Sequence, residues 1–122
     1  MGLFGKKKNE TELKDGLLQR KARERILDKA DEAIRKAYKA QRIIFMEDGS
    51  IRYIDKANRV AKYDDDAFAQ LMLDKMSAEL DGVANAIAGR PMGGLYVLGI
   101  TPLDIKAIVN ELREKEAKRA TR

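Results

Sequence analysis

The amino-acid sequence predicts a mainly α fold. It reads as a small helical domain with one long N-terminal helix, a short β-hairpin over residues 43–54 as one of two readings of that stretch, and a C-terminal helix after a Gly-rich loop. Three observations carry this. Residues 18–45 contain neither proline nor glycine, and apolar residues recur there at helical spacing. The same period returns from Phe68 to Ile87. Between the two, Asp48-Gly49 is a two-residue turn signal flanked by β-branched and aromatic residues.

In the first helix Ile26, Ala30, Ala33, Ala37, Ala40 and Ile44 alternate spacings of four and three, which sets them on one face. A bulkier row, Leu27, Ile34, Tyr38 and Phe45, runs beside it. The alanines predict close packing against another surface, and this face is the first candidate interaction surface. So small a seam is marginal for a free coiled coil, so packing inside a helical domain is its expected use. Upstream, Thr11 is the expected N-cap with Glu12 in the first turn. Leu13, Leu17 and Ala22 lead into the main face. Gly16 predicts a bend or a fresh start, since glycine costs a helix about 1 kcal/mol relative to alanine. Arg20–Glu24, Asp31–Arg35 and Glu32–Lys36 have the i,i+4 spacing of helix ion pairs.

The hairpin reading takes Ile43–Met46 and Ile51–Ile54 as strands. The competing reading keeps the helix through Met46 and stops it at Gly49. Asp55 then caps a short helix, KANRVAKY, ending near Tyr63. Asp64, Asp65 and Asp66 are an N-cap and an acidic first turn. The alternative, a divalent-metal site shared with Glu47 or Asp48, lacks the ligand spacing of a calcium loop. Phe68, Met72, Met76, Leu80, Val83, Ala84 and Ile87 share one face of the next helix, widened by Leu71 and Leu73, and form ordinary core. Gly89 and Pro91 end it.

In GRPMGGLYVLGITP, Gly93 and Gly94 free the backbone ahead of an apolar run, Leu95, Tyr96, Val97 and Leu98. This run is the second candidate interaction surface, either buried or an exposed loop that plugs into a partner. It is not a phosphate loop, because the GxxxxGK[ST] pattern is absent. Thr101 and Pro102 are the N-cap and first position of the last helix, with Asp104 in its first turn. Ile105, Ile108, Val109 and Leu112 give that helix its core face. Beyond Leu112 no large apolar residue remains. The expected organisation is a basic tail over residues 1–10, one helical domain over 11–112 and a charged projecting tail over 113–122.

Composition limits the chemistry. The 122 residues include no cysteine and no histidine. Disulfides, thiolate metal sites and Ser-His or Cys-His nucleophiles are therefore excluded. No catalytic, cofactor-binding or metal-binding residue is identified, and no cofactor is expected. The first 62 residues carry 17 Lys and Arg against 10 Asp and Glu, and the remainder 8 against 10. Lys6, Lys7, Lys8, Arg20, Lys21, Arg23 and Arg25 are the expected contacts to a polyanion or an acidic protein. The acidic protein could be a second copy, through Asp64, Asp65, Asp66, Asp74, Glu79 and Asp81.

The chain opens MGLFGKKKNE. Lys6 stands where a myristoylation motif wants Ser or Thr. Leu3 and Phe4 beside the lysines could dip into a membrane interface, but a flexible basic tail is the expectation. MGLFGK is similar to the start of some ESCRT-III subunits, whose short N-terminal segment touches membrane. The likeness spans six residues of 122, and that family's long acidic C-terminal half is missing, so nothing is carried over from it. No secretory segment or spanning run is found, so a cytoplasmic location, or one inside an intracellularly assembled particle, is expected. The functional expectation is a non-enzymatic structural or adaptor protein that assembles with itself or within a larger complex, such as a small virion or plasmid-encoded component. The alternatives are a sequence-nonspecific nucleic-acid-binding protein and a peripheral membrane protein using its basic N-terminus.

Overall fold

Where a helix can bury a stripe of large side chains it forms, and here three helices do so around a short antiparallel meander. The structure is a computed structural model that describes the backbone of residues 2–120 and the side chains of residues 16–119. In order the elements are α1 (Gly2–Lys39), β1 (Ile43–Phe45), β2 (Ile51–Ile54), β3 (Val60–Tyr63), α2 (Asp65–Ala88) and α3 (Pro102–Ala120). The architecture is thus mainly α, with a small sheet of order β1-β2-β3.

α1 starts at Gly2, so residues 2–10 are helical backbone, and Thr11 lies inside the helix instead of capping it. The helix also runs unbroken through Gly16. One glycine in open space costs about 1 kcal/mol, which the helix-favouring residues around it offset. The buried row of α1 is Ala22, Ile26, Ala30 and Ile34. This corrects the alanine face. Of its six residues only Ile26 and Ala30 belong to the core; Ala37 is half-buried, Ala33 and Ala40 are exposed, and Ile44 sits on β1. The physical reason is volume. A row containing Ile26 and Ile34 removes more apolar area from water than a row of alanines, so the helix turns it inward.

The 43–54 stretch is a hairpin. β1 pairs with β2 in the register Ile43↔Tyr53, Phe45↔Ile51. Met46 N–H donates to Ser50 O at 2.9 Å and Gly49 has φ +87, leaving Glu47–Gly49 as a three-residue loop. The short helix expected after Asp55 does not form. Asp55 Oδ1 accepts from the N–H groups of Ala57 and Arg59, both at 2.9 Å, and Asn58 adopts φ +62. This Asx-type turn reverses the chain. Val60–Tyr63 then pairs with β2 as a third strand, Ile51↔Tyr63 to Ile54↔Val60. Arg42 clasps the turn from below, donating to Asp55 O at 2.7 Å.

Asp64 is the N-cap of α2, accepting from Ala67 N–H at 2.7 Å, and Gly89 is its left-handed C-cap. The predicted core face is buried from Phe68 to Ala84, with Phe68, Ala69, Met72, Leu73, Met76, Leu80, Val83 and Ala84 inside, while Leu71 and Ile87 are half-buried. Phe68 joins helix to sheet, its ring edge-on to Tyr53 at 5.8 Å and to Tyr63 at 6.5 Å. α3 buries Ile105, Val109 and Leu112. It does not end at residue 112. It continues to Ala120, and Arg113 folds back onto the body, donating to Asp65 Oδ2 at 2.6 Å and to Gly49 O at 2.7 Å. Among the described residues no helix is long and apolar enough to cross a membrane.

Candidate functional site

The loop between α2 and α3 is the most unusual surface of the molecule. Met92, Leu95, Leu98 and Ile100 point into the core. The backbone between them is closed by its own hydrogen bonds: Val97 N–H to Gly94 O at 3.1 Å, Gly99 N–H to Tyr96 O at 3.0 Å and Ile100 N–H to Leu95 O at 3.0 Å. Gly93 takes φ +90, and a Cβ there would lie 3.1 Å from Val97. The run Leu95–Leu98 is therefore neither wholly buried nor wholly exposed. Its outer residues are anchors, and its central pair is held outward, Tyr96 85% and Val97 60% exposed.

A second tie fixes this end of the bundle. Arg23 Nη2 of α1 donates to Asp104 Oδ1 at 3.1 Å, and Asp104 Oδ2 accepts from Thr101 N–H at 2.9 Å. One carboxylate thus caps α3 and joins it to α1, as expected of a helix whose N-cap threonine is followed three residues later by an acid. Gly99 lies against the Arg23 side chain. Leu103, beside Asp104, is 71% exposed, and Leu17, a turn and a half before Arg23, is 53% exposed. Three of the six large apolar residues exposed among the described residues stand on this loop or the first turn of α3; Leu17 lies on α1, and Met46 and Val60 lie at the sheet.

The predicted basic residues divide. Arg23 is a structural partner of Asp104. Arg20, Lys21 and Arg25 are exposed on the same stretch of α1. Lys6, Lys7 and Lys8 lie outside the described side chains. The acidic residues expected to face a neighbour are largely occupied within the chain. Asp64 caps α2, Asp65 holds Arg113, Asp66 pairs with Lys106, and Glu79 pairs with Lys29 at 3.5 Å. The Asp66 carboxylate also pushes the Lys106 ammonium pKa upward.

Two clefts are prominent among the described residues. One, about 370 Å3, lies between α1 and α2 and is lined by Arg25, Lys29, Glu79, Gly82 and neighbours. The other, about 320 Å3, lies between the sheet and α2, with Tyr53, Tyr63, Leu71, Asp55, Lys56, Arg59 and Lys75 around it. Lys75 Nζ donates to Tyr53 Oη at 2.7 Å there. Among the described residues no three His, Cys, Asp or Glu side chains converge on a point that could hold a metal ion.

Leu103, Leu17 and the clefts were not singled out by the sequence. For Leu103 a signal existed: it lies two residues before Ile105, off the 105–109–112 row, so the helical period turns it away from the core. The clefts left none, because they depend on β3 and on the packing of α2. Set against protein-family models, curated proteins and solved structures, the chain matches none of them.

Proposed function

We propose that the chain is a non-enzymatic adaptor that joins a larger assembly through the loop end of its bundle. One observation carries the reading: Tyr96 and Val97 are held in water by a rigid frame whose other apolar residues are buried. Large apolar side chains held outward side by side in a loop suit a docking surface. Arg20, Lys21 and Arg25 are exposed on α1 and are available to an acidic partner. Self-association through the acidic residues of α2 is the weaker form of the reading, because most of those carboxylates already have partners in their own chain.

The test is the native size of the chain in an extract of cells that express it. The wild type should sediment well above its 13.8 kDa monomer mass, and the Tyr96→Ser, Val97→Ser double variant should return to monomer size. A wild-type chain that sediments as a monomer would sink the proposal.

A further inference from the structure

We propose that the cleft between the sheet and α2 binds a small phosphate monoester carried on a flat ring. The proposal is independent of the loop end and gives the chain a ligand of its own.

The cleft is built from three elements. The pairing Tyr53↔Ala61 sets Tyr53 and Tyr63 diagonally on one face of the sheet, the face that meets Phe68 of α2. Leu71 and Lys75, four residues apart, come from one face of α2. The turn between β2 and β3 brings Lys56 and Arg59 to the same cleft. Its volume of about 320 Å3 is at the lower end of the roughly 300–1,000 Å3 of ligand pockets, which suits one small molecule.

The hydrogen-bonding groups of the lining are unbalanced. Asp55 is its one carboxylate, and both oxygens are taken. Oδ1 accepts from the N–H groups of Ala57 and Arg59, and Oδ2 accepts from Arg59 Nε at 2.9 Å. The donors are not taken. Lys75 is half-buried, and among the described residues the only hydrogen bond of its ammonium goes to the Tyr53 hydroxyl, at 2.7 Å. No ion pair among the described residues includes Lys75 or Lys56. Because the Tyr53 oxygen accepts from Lys75, its own O–H is left to donate. Among the described residues neither that O–H nor the Tyr63 hydroxyl has an acceptor.

This imbalance selects an anion. Three cations against one carboxylate leave the lining at +2. Taking an ammonium partly out of water without a counter-charge costs stability, and an anion in the cleft would recover it. A phosphate monoester carries about −1.5 to −2 at pH 7 and three acceptor oxygens, which answers a lining of that charge with donors to spare. A carboxylate brings half the charge. The flat body follows from the walls, since Tyr53, Tyr63 and Leu71 offer apolar surface beside the donors.

A nucleic-acid strand fits less well. It asks for a run of ring faces open along a basic groove. Here two half-buried rings, packed on Phe68 with centroids at 5.8 and 6.5 Å, bound a single site.

The experiment is calorimetric titration of the full chain, at neutral pH and low salt, with phenyl phosphate, adenosine monophosphate, benzoate and inorganic phosphate. Phenyl phosphate or adenosine monophosphate should bind about tenfold or more tightly than inorganic phosphate or benzoate, and the tighter of the two tells an aryl from a nucleoside source. Lys75→Gln should weaken that binding about tenfold or more, and the exposed Lys56→Gln about threefold. Lys21→Gln, on α1 and outside the cleft, should leave it unchanged. Proton NMR gives a reading that needs no variant. The ring resonances of Tyr53 and Tyr63 should move on saturation, and those of Tyr96 should not. If Lys75→Gln does not fold, Lys56→Gln and the ring resonances decide. Esters that bind no more tightly than inorganic phosphate would mean an adventitious ion only and overturn the proposal. So would unchanged affinity in a folded Lys75→Gln variant, still resonances of Tyr53 and Tyr63, or tighter binding to a single-stranded oligonucleotide that grows with its length.

Discussion

Arg113 should be worth far more than a residue in a solvated tail. Its guanidinium donates to Asp65 Oδ2 at 2.6 Å and to Gly49 O at 2.7 Å, and its Cζ lies 5.2 Å from the centre of the Phe45 ring. The two side chains of the ion pair are 28% and 33% exposed, so solvent screens the pair in part. We assign it about 1 kcal/mol for that reason. The charged donor to a backbone carbonyl adds about 1.5 kcal/mol, and the ring contact about 0.5 kcal/mol. Arg113→Ala should therefore destabilise the fold by about 3 kcal/mol. For a domain of this length that lowers the midpoint of thermal unfolding by roughly 10 °C. The cost is sharpened by Asp65 Oδ1, which is buried without a hydrogen-bond partner among the described residues, so the carboxylate depends on Arg113. The assay is thermal unfolding followed by circular dichroism on Arg113→Ala, Asp65→Asn and the double variant. The cycle should return a coupling near 1 kcal/mol. A loss below about 0.5 kcal/mol for Arg113→Ala, or additive single variants, would refute the account of α3 as an anchored helix.

Two further outcomes test the placement of particular residues. Ala30→Leu should cost about 1–3 kcal/mol by overpacking a buried site, whereas Ala33→Leu on the exposed side should stay within about 0.5 kcal/mol; urea midpoints decide, and the reverse order would mean that Ala33, not Ala30, faces the core. The Lys62 ammonium, followed by the Ser50 hydroxyl and N–H, holds the Asp48 carboxyl far below its usual range, and the Arg59 N–H, followed by its guanidinium, lowers that of Asp55. Both shifts favour the ionised group in the folded state, so their stabilisation is complete above about pH 4 and fades as pH falls toward the folded values. The Asp48→Asn, Asp55→Asn variant should lose stability at neutral pH and show a shallower fall between about pH 4 and pH 2. An unchanged acid slope by chemical denaturation would contradict this.

What was legible in the sequence was local. Asp64 ahead of an acidic turn, Gly89 after the last periodic residue and Thr101-Pro102 before Asp104 each act within four residues, and all mark helix ends in the structure. The α2 core face was legible because large side chains repeat there at the helical period. What was lost depends on distant partners. The KANRVAKY segment has helical composition, yet Asp55 and Arg42 close it into a turn and β2 offers it a pairing edge. The α1 face was ambiguous because two rows of similar spacing run side by side, and packing buries parts of both, Ile26 and Ala30 from one and Ile34 from the other. Residues 113–122 looked like a tail because they hold no large apolar residue, and Arg113 is anchored by groups 48 and 64 positions away. At the loop end, the sequence marked Leu95–Leu98 as one surface. Only the fold divides that run into two anchors and two outward residues.

That division bears on why the loop is built as it is. A chain with a spare apolar run could bury all of it, and folding would gain about 1.5–3 kcal/mol for each large side chain taken from water. Here Gly93 and Gly99, both at positive φ, turn the backbone so that Leu95 and Leu98 are covered while Tyr96 and Val97 are not. The arrangement is not slack in an unfinished core, since the loop's hydrogen bonds and the close approach of Val97 to Gly93 fix it. Nor is it cheap, because exposed apolar groups promote aggregation. The net charge of +5 at pH 7 blunts that tendency, because copies of the chain repel one another. Under the proposed function that charge acts in two ways: it keeps free molecules apart, and it draws the chain toward an acidic partner. A neutral chain would leave the apolar tip attractive to its own kind. A mobile loop would make the tip lose more entropy on docking. Under that proposal, fixed presentation and net positive charge serve different halves of one problem: the first keeps the tip ready to dock, and the second keeps it from its own copies.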